Sequence, residues 1–169
     1  RKTRIEYDGG TIGRISRSDF YYDSHSQTSN AIQYGNLTAL IEWGEIVGAT
    51  DVYPSDTRWT EILYAAPNLE KHIVGLAKEE RLRAGGTIGS GAVLRATTYR
   101  YDGDSQGVVP PTRGNLTAKI IAHDTSAYPG ETSRHEAYTY DVYGNRTHVR
   151  SPREMAGQIA VGSGTTTTG

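Results

Sequence analysis

Tyr99-Arg100-Tyr101-Asp102, followed by Gly114-Asn115-Leu116-Thr117-Ala118-Lys119-Ile120, repeats a stretch already written between Phe20 and Ile41. Tyr22-Asp23 and Gly35-Asn36-Leu37-Thr38-Ala39 return as Tyr101-Asp102 and Gly114-Asn115-Leu116-Thr117-Ala118 at one constant offset of 79 residues. Ser26-Gln27 against Ser105-Gln106, and Ile41 against Ile120, keep the same register without a gap. Between these anchors Ala31 to Tyr34 and Pro110 to Arg113 differ freely, as a loop does when only its ends are structurally fixed.

A shorter signature runs through the same places: an apolar or aromatic residue, a spacer, then Tyr-Asp. It occurs as Ile5-x-Tyr7-Asp8, Phe20-x-Tyr22-Asp23, Tyr99-x-Tyr101-Asp102 and Tyr138-x-Tyr140-Asp141. Residues two apart in a strand share a face, so each copy offers two large side chains to one side of a sheet. The chain then leaves the strand at Asp, whose carboxylate accepts hydrogen bonds from nearby backbone N–H groups in turns. Gly9, Gly35, Gly103 and Gly144 supply the positive φ of a tight reversal or begin the next strand. The predicted unit is strand, turn, strand, and the predicted fold class is all-β, built of antiparallel hairpins.

Tyr7-Asp8-Gly9-Gly10-Thr11-Ile12-Gly13-Arg14-Ile15 and Tyr138-Thr139-Tyr140-Asp141-Val142-Tyr143-Gly144-Asn145-Arg146-Thr147 resemble the repeat of the RHS/YD-repeat family. That repeat runs roughly Tyr-Asp, a few residues, Gly-Arg or Gly-Asn, then a β-branched strand. The agreeing copies are spread from residue 5 to about residue 150. Trp59 to Arg83, with Leu63-Tyr64 and Ile73-Val74-Gly75-Leu76, is similar to segments of the large YD-repeat subunits of bacterial insecticidal toxin complexes. The resemblance implies a curving strand spiral wound into a hollow shell that encloses and shields a toxin effector domain. It implies as partners the neighbouring repeats of the same parent chain, the enclosed effector and other toxin-complex subunits, and a secreted or extracellular location. The repeat-structural residues carried by the match are Tyr7, Asp8, Tyr22, Asp23, Gly35, Asn36, Tyr101, Asp102, Gly114, Asn115, Tyr140, Asp141, Gly144 and Asn145. The family's toxins also carry a self-cleaving segment with catalytic Asp residues; nothing here matches it, so no catalytic residue is assigned and no enzyme is expected. YD repeats also occur in extracellular adhesion proteins of the teneurin type, which leaves an adhesion or carbohydrate-binding module as the alternative.

Composition agrees with a thin sheet. The 169 residues carry a net charge of -1, which gives no electrostatic case for nucleic acid or an anionic membrane surface. Twelve Tyr dominate the aromatics, beside one Phe and two Trp, so the strands are expected to pack through amphipathic rings rather than a thick core. A repeat protein buries surface between neighbouring units, and a segment of one reads as under-hydrophobic by itself. With no cysteine, neither disulfides nor thiolate chemistry is available. No apolar run approaches the length of a membrane span, and Arg1 to Glu6 lacks signal-peptide form. The first residue is not Met and the first segment reads as a strand, which together suggest a fragment of a much larger chain.

Residues 1–150 are read as one YD-repeat β-sheet segment with the internal repeat 20–41/99–120. Residues 151–169 are read as a Gly/Thr-rich tail or the start of the next repeat. Ser24 to Asn30, Asp51 to Asp56, Ala84 to Gly91, Gly103 to Arg113 and Tyr128-Pro129-Gly130 are turns or loops; Trp59 to Tyr64 and Val93 to Tyr101 are strands. Asn68 to Arg83 can be read as a short helix through Leu69, His72, Ile73 and Leu76, but Pro67, Gly75 and Ile73-Val74 favour strands. In the first copy Leu37, Ala39, Ile41 and Trp43 form the face expected to pack, with Leu116, Ala118, Ile120 and Ala122 equivalent in the second.

Other features that suggest chemistry have simpler readings. Gly85-Gly86-Thr87-Ile88-Gly89-Ser90-Gly91 lacks the Lys and following helix of a phosphate loop. His25, His72, His123, His135 and His148 fall at no metal-ligand spacing, and His123-Asp124 reads as polar loop, so neither metal nor cofactor is assigned. Asp8, Asp23, Asp102 and Asp141 recur with the repeat and read as turn formers rather than acids or bases. Asn36-Leu37-Thr38, Asn115-Leu116-Thr117 and Asn145-Arg146-Thr147 are N-glycosylation sequons, yet each lies inside the Gly-Asn-x-Thr piece of the repeat, where Asn suits the turn and Thr the strand. Tyr rows can stack on sugar rings, or cover the sheet and meet the next repeat.

Overall fold

The computed structural model describes residues 2–8, 14–23, 34–47, 50–123 and 133–150, with side-chain surroundings given from Ser16 onward except at His123. The expected loops at Ser24 to Asn30 and Tyr128 to Gly130, the residues Gly9, His25 and Asp124, and the 151–169 tail lie outside these residues.

Ten strands form one open, antiparallel sheet: β1 (Lys2–Asp8), β2 (Arg14–Tyr22), β3 (Leu37–Val47), β4 (Thr50–Asp51), β5 (Arg58–Tyr64), β6 (Ala77–Ala84), β7 (Val93–Tyr101), β8 (Leu116–His123), β9 (Arg134–Tyr140) and β10 (Arg146–Arg150). Apart from the two-residue β4, which folds back on β3, the strands lie side by side in chain order from β1 to β10. The all-β, antiparallel expectation holds, and the described residues contain no helix able to cross a membrane.

The Val93–Tyr101 strand and the Gly103 to Arg113 loop fall where the sequence places them, and the loops expected at Asp51 to Asp56 and Ala84 to Gly91 begin one residue later, because Asp51 ends β4 and Ala84 ends β6. The 68–83 region divides. Only Ala77–Ala84 joins the sheet, while Asn68 and Ile73 make a single bridge within a tight turn that holds His72 at φ 54°. The β-branched Ile73-Val74 pair is too short to form a strand once Pro67 and Gly75 bound it.

Burial is concentrated in one place. Ala39, Ile41, Ile46 and Trp59 are the buried hydrophobic side chains among the described residues, and Tyr21 and Trp43 pack against the Ala39–Ile41–Trp59 cluster. The expected face of β3 is therefore packed. Its counterpart on β8 is only half-buried, because both Trp lie at β3 and β5 and β8 has no side chain of that size beside it. Beside the cluster, the fully buried Asp19 carboxylate accepts from Arg17 Nη2 at 2.6 Å and Nε at 3.1 Å and from Trp43 Nε1 at 3.0 Å. Its charge is thus paired and hydrogen-bonded where desolvation would otherwise be costly.

Candidate functional site: a tyrosine ladder along one sheet edge

Alternating strand directions bring the ends of β2, β5, β7 and β9 to one edge of the sheet, and each of these strands ends in tyrosine: Tyr22, Tyr64, Tyr101 and Tyr140. Tyr7-Asp8 ends β1, which runs antiparallel to β2, so this copy lies at the opposite edge. The sequence signature is the same, but its phase in the sheet is not.

Four hairpins share one local geometry. Tyr22 pairs with Leu37, Tyr64 with Ala77, Tyr101 with Leu116 and Tyr140 with Arg146, and next to each pair the register shifts by one residue. The skipped residues are Thr38, Lys78, Thr117 and Thr147, so a bulge sits at the same step of every hairpin. Beyond the tyrosine, one backbone bond closes each loop: Asp23 N to Asn36 O at 2.8 Å, Ala65 N to Leu76 O at 2.8 Å, Asp102 N to Asn115 O at 2.8 Å and Asp141 N to Asn145 O at 2.9 Å. The glycine before the closing residue has positive φ in all four, at 78° for Gly35, 102° for Gly75, 78° for Gly114 and 89° for Gly144.

The aspartates organise the loops. Asp102 accepts from the backbone N–H of Thr112 (2.8 Å), Arg113 (2.9 Å) and Gly114 (3.0 Å) through Oδ2, and of Asn115 (2.9 Å) through Oδ1. Asp23 accepts from Tyr34 and Asn36, and Asp141 from Tyr143, Asn145 and the Asn145 side-chain amide. Burial pushes the Asp102 carboxyl up, but its backbone donors outweigh this and hold it below the ordinary carboxylate value. Asp141 is likewise lowered, first by the Asn145 side chain. These carboxylates are loop clamps, and their lone pairs already point at donors.

The tyrosines join one hairpin to the next. Tyr64 Oη donates to Leu37 O at 2.7 Å, Tyr101 Oη to Ala77 O at 2.8 Å and Tyr140 Oη to Leu116 O at 2.8 Å. In each case the phenol reaches the first residue of the preceding hairpin's second strand. A second joint follows the same phase. A methyl group at Gly75 would come within 2.7 Å of Asn36 Oδ1, one at Gly114 within 3.3 Å of Leu76 Cδ1, and one at Gly144 within 3.8 Å of Asn115 Oδ1. Each glycine thus seats on the closing residue of the hairpin before it.

The offset of 79 is therefore two structural steps, Tyr22 to Tyr64 and Tyr64 to Tyr101. Sequence reading sees Leu63-Tyr64 and Gly75-Leu76 only as part of a loosely similar segment, because Ala65 replaces Asp and Leu76 replaces Asn. There Asn68 takes over the loop. It exchanges backbone bonds with Ile73 at 2.9 and 3.0 Å, its Oδ1 accepts from Lys71 N at 3.2 Å, and its Nδ2 donates to Pro111 O at 2.9 Å in the next loop. The remaining signal was phase, with Tyr64 and Gly75 falling midway between copies.

The face that carries the Ala39–Ile41–Trp59 cluster pairs charges within β6 and across to β5. Arg81 bonds Glu79 at 2.8 Å and Glu61 at 3.4 Å, and Arg83 bonds Glu61 at 3.2 Å while lying 5.4 Å over the Trp59 ring. Among the described residues no three His, Cys, Asp or Glu side chains gather as a metal site. Tyr101 and Tyr140, the platform positions for a glycan, are half-buried with their hydroxyls tied to the backbone. No protein-family model matches the chain, and no curated protein matches it.

Proposed function

We propose that this chain is a structural segment of a YD-repeat shell, one stretch of a strand-spiral wall that encloses and shields a toxin effector domain. The observation that carries the reading is the tyrosine ladder. Hairpin after hairpin is added in the same phase, each locked to its predecessor by a phenol-to-carbonyl bond and a seated glycine, in an open sheet with little core of its own. Such a sheet grows by repetition, and its stability is a sum of units and joints between neighbours. A wall needs that property, whereas a ligand site needs convergent groups with unspent valence. On this reading the chain turns nothing over, its partners are further repeats of the same polypeptide, the enclosed effector and other toxin-complex subunits, and it works outside the producing cell.

The test is a density map, at a resolution that traces strands, of the polypeptide that carries this sequence. The expected result is a wall in which β1 to β10 continue into further strands around a closed cavity holding another domain. A sheet that closes on itself, or one that stacks on identical copies without a cavity, overturns the reading.

A further inference from the structure

Tyr21, Ala39 and Glu61 stand opposite one another across β2, β3 and β5, beside the Ile41–Trp59 pair, on the face that holds the buried cluster. The same frame is written again across β7, β8 and β9 as Arg100, Ala118 and Ala137, beside Ile120 opposite His135. The second version exchanges Tyr for Arg and Trp for His, and it puts a methyl group where the first has a carboxylate.

Arg100 is half-buried, its Nε is buried without a hydrogen-bond partner, and no acceptor or carboxylate meets its side chain among the described residues. A methyl group at Gly107 would collide with its Nη1, so the 103–113 loop lies against the guanidinium. An arginine that only covers apolar surface keeps its head in water, whereas this one turns it under a loop. Elsewhere on this face arginines are answered: Arg17 by Asp19, Arg81 by Glu79 and Glu61, and Arg83 by Glu61. Across β7 to β10 the described strand residues of the face include Arg100, His135, His148 and Arg150 and no Asp or Glu. The acid next in register, Glu79 opposite Thr98, has both oxygens on Arg81. A buried donor left over in this way calls for an acceptor from outside the sheet.

We propose that this alanine shelf is a binding site for a doubly charged tetrahedral oxyanion, a phosphate or sulfate group, with Arg100 as its principal donor. The free Nε edge of a guanidinium offers two parallel N–H bonds to such a group. Ala118 and Ala137 keep the floor low beside it, and His135 flanks the shelf. Arg150 closes the row, opposite Ala137. Three strand spacings, about 14 Å, separate it from Arg100 along the sheet, a span that two arginine side chains can close on one ion. Two guanidiniums without an acid between them suit a dianion better than a single carboxylate. The site stands apart from the tyrosine ladder and from the shell reading, since it depends on what differs between the two copies of the frame and not on their repetition.

The probe is inorganic phosphate added to the 169-residue protein at constant ionic strength, with sulfate, glycerol 2-phosphate and acetate in parallel. Phosphate and sulfate are expected to raise the urea midpoint, because an ion bound only by the folded chain stabilises it, and to shift the Arg100 Nε–H resonance. Acetate should do neither at the same concentration. Arg100→Met keeps the stem and should weaken phosphate binding at least about 10-fold, as for a hydrogen-bonded charge. Without phosphate this variant should unfold at the same or a higher urea concentration, since it removes a charge that no carboxylate offsets. Arg150→Gln should weaken binding about 2- to 5-fold, the range for an exposed pair. Ala137→Glu restores the carboxylate that the first frame has in Glu61, and should abolish the phosphate effect by pairing with Arg100. Glycerol 2-phosphate bound as tightly as free phosphate makes the ligand an esterified group, and binding of the free ions alone makes it the free ion; either supports the site. An unmoved Arg100 resonance, equal effects of acetate and phosphate, lost stability of Arg100→Met in phosphate-free buffer, or undiminished phosphate binding by Ala137→Glu overturns it.

Discussion

Asp102 shows how one carboxylate can hold a long loop. Four backbone N–H groups converge on it from residues 112 to 115, so removing its charge leaves several donors without a strong acceptor. Asp102→Asn keeps one oxygen and turns an amide toward those donors, and is expected to cost about 1–2 kcal/mol in urea unfolding at pH 7. The sign with pH follows from the lowered value. The stabilisation is complete above the ordinary carboxyl value of 3.8 and is lost as pH falls through the folded value beneath it. The gap between wild type and Asp102→Asn should therefore close as unfolding is repeated below that range, and a gap of constant size would show that the carboxylate charge is not what holds the loop. Tyr99 and Tyr138 set the alkaline limit. Burial first, then Glu80 for Tyr99 and Glu136 for Tyr138, pushes each phenol up to about 12 from 10.0. Stability should be full below pH 10 and decline between pH 10 and about 12, as the unfolded chain gives up protons that the folded one retains. An ultraviolet titration in which both phenols ionise near 10 would contradict this.

At the scale of the hairpin, the joint has two parts that can be broken separately. Tyr101→Phe keeps the ring and deletes only the bond to Ala77 O, for an expected loss of about 0.5–1.5 kcal/mol in the same unfolding measurement. Gly75→Ala should cost more, about 1–3 kcal/mol, because φ 102° is a conformation that L-residues avoid and the added methyl meets Asn36 Oδ1 at 2.7 Å. If Gly75→Ala is neutral, the glycine is not a seat. The hairpin's sequence legibility follows from the same parts. Tyr-Asp and Gly-Asn could be read because Asp is needed to gather N–H groups and Gly to reach positive φ, so these positions resist replacement. The hairpin at Tyr64 was not legible as a copy, since Asn68 can do the work of the missing aspartate and backbone atoms close the loop whatever the side chains are. The phase of Tyr7-Asp8 was not legible either, because a dipeptide fixes where a strand ends but not the direction in which the strand runs. The Asp19–Arg17–Trp43 contact joins a strand to its neighbour across a long loop, and no spacing rule announces that.

For the molecule as a whole, stability is distributed unevenly along an open sheet. The buried cluster sits at β3 and β5, whereas β10 is wholly exposed and, among the described residues, paired on one side only. Joints between neighbours transmit stability from the centre outward, so opening free energies should fall toward the edge. Hydrogen exchange is expected to be slowest in β3 and β5 and fastest in β10. An unpaired strand edge is also a template for another chain, and charge is a common means of blunting it. The arginines of β10 oppose pairing of two like edges, but Val149 at 44% exposure leaves an apolar side chain available between them. The 169-residue protein should therefore associate with rising concentration, and its β10 amides should become protected as it does. Val149→Lys adds a third cation to the strand and should move association to several-fold higher concentration in sedimentation equilibrium while leaving exchange in β3 and β5 unchanged. If the protein instead remains a monomer that melts in one cooperative step, with β10 as protected as β5, the sheet is a finished domain. Its repeats would then serve a free-standing fold rather than a wall.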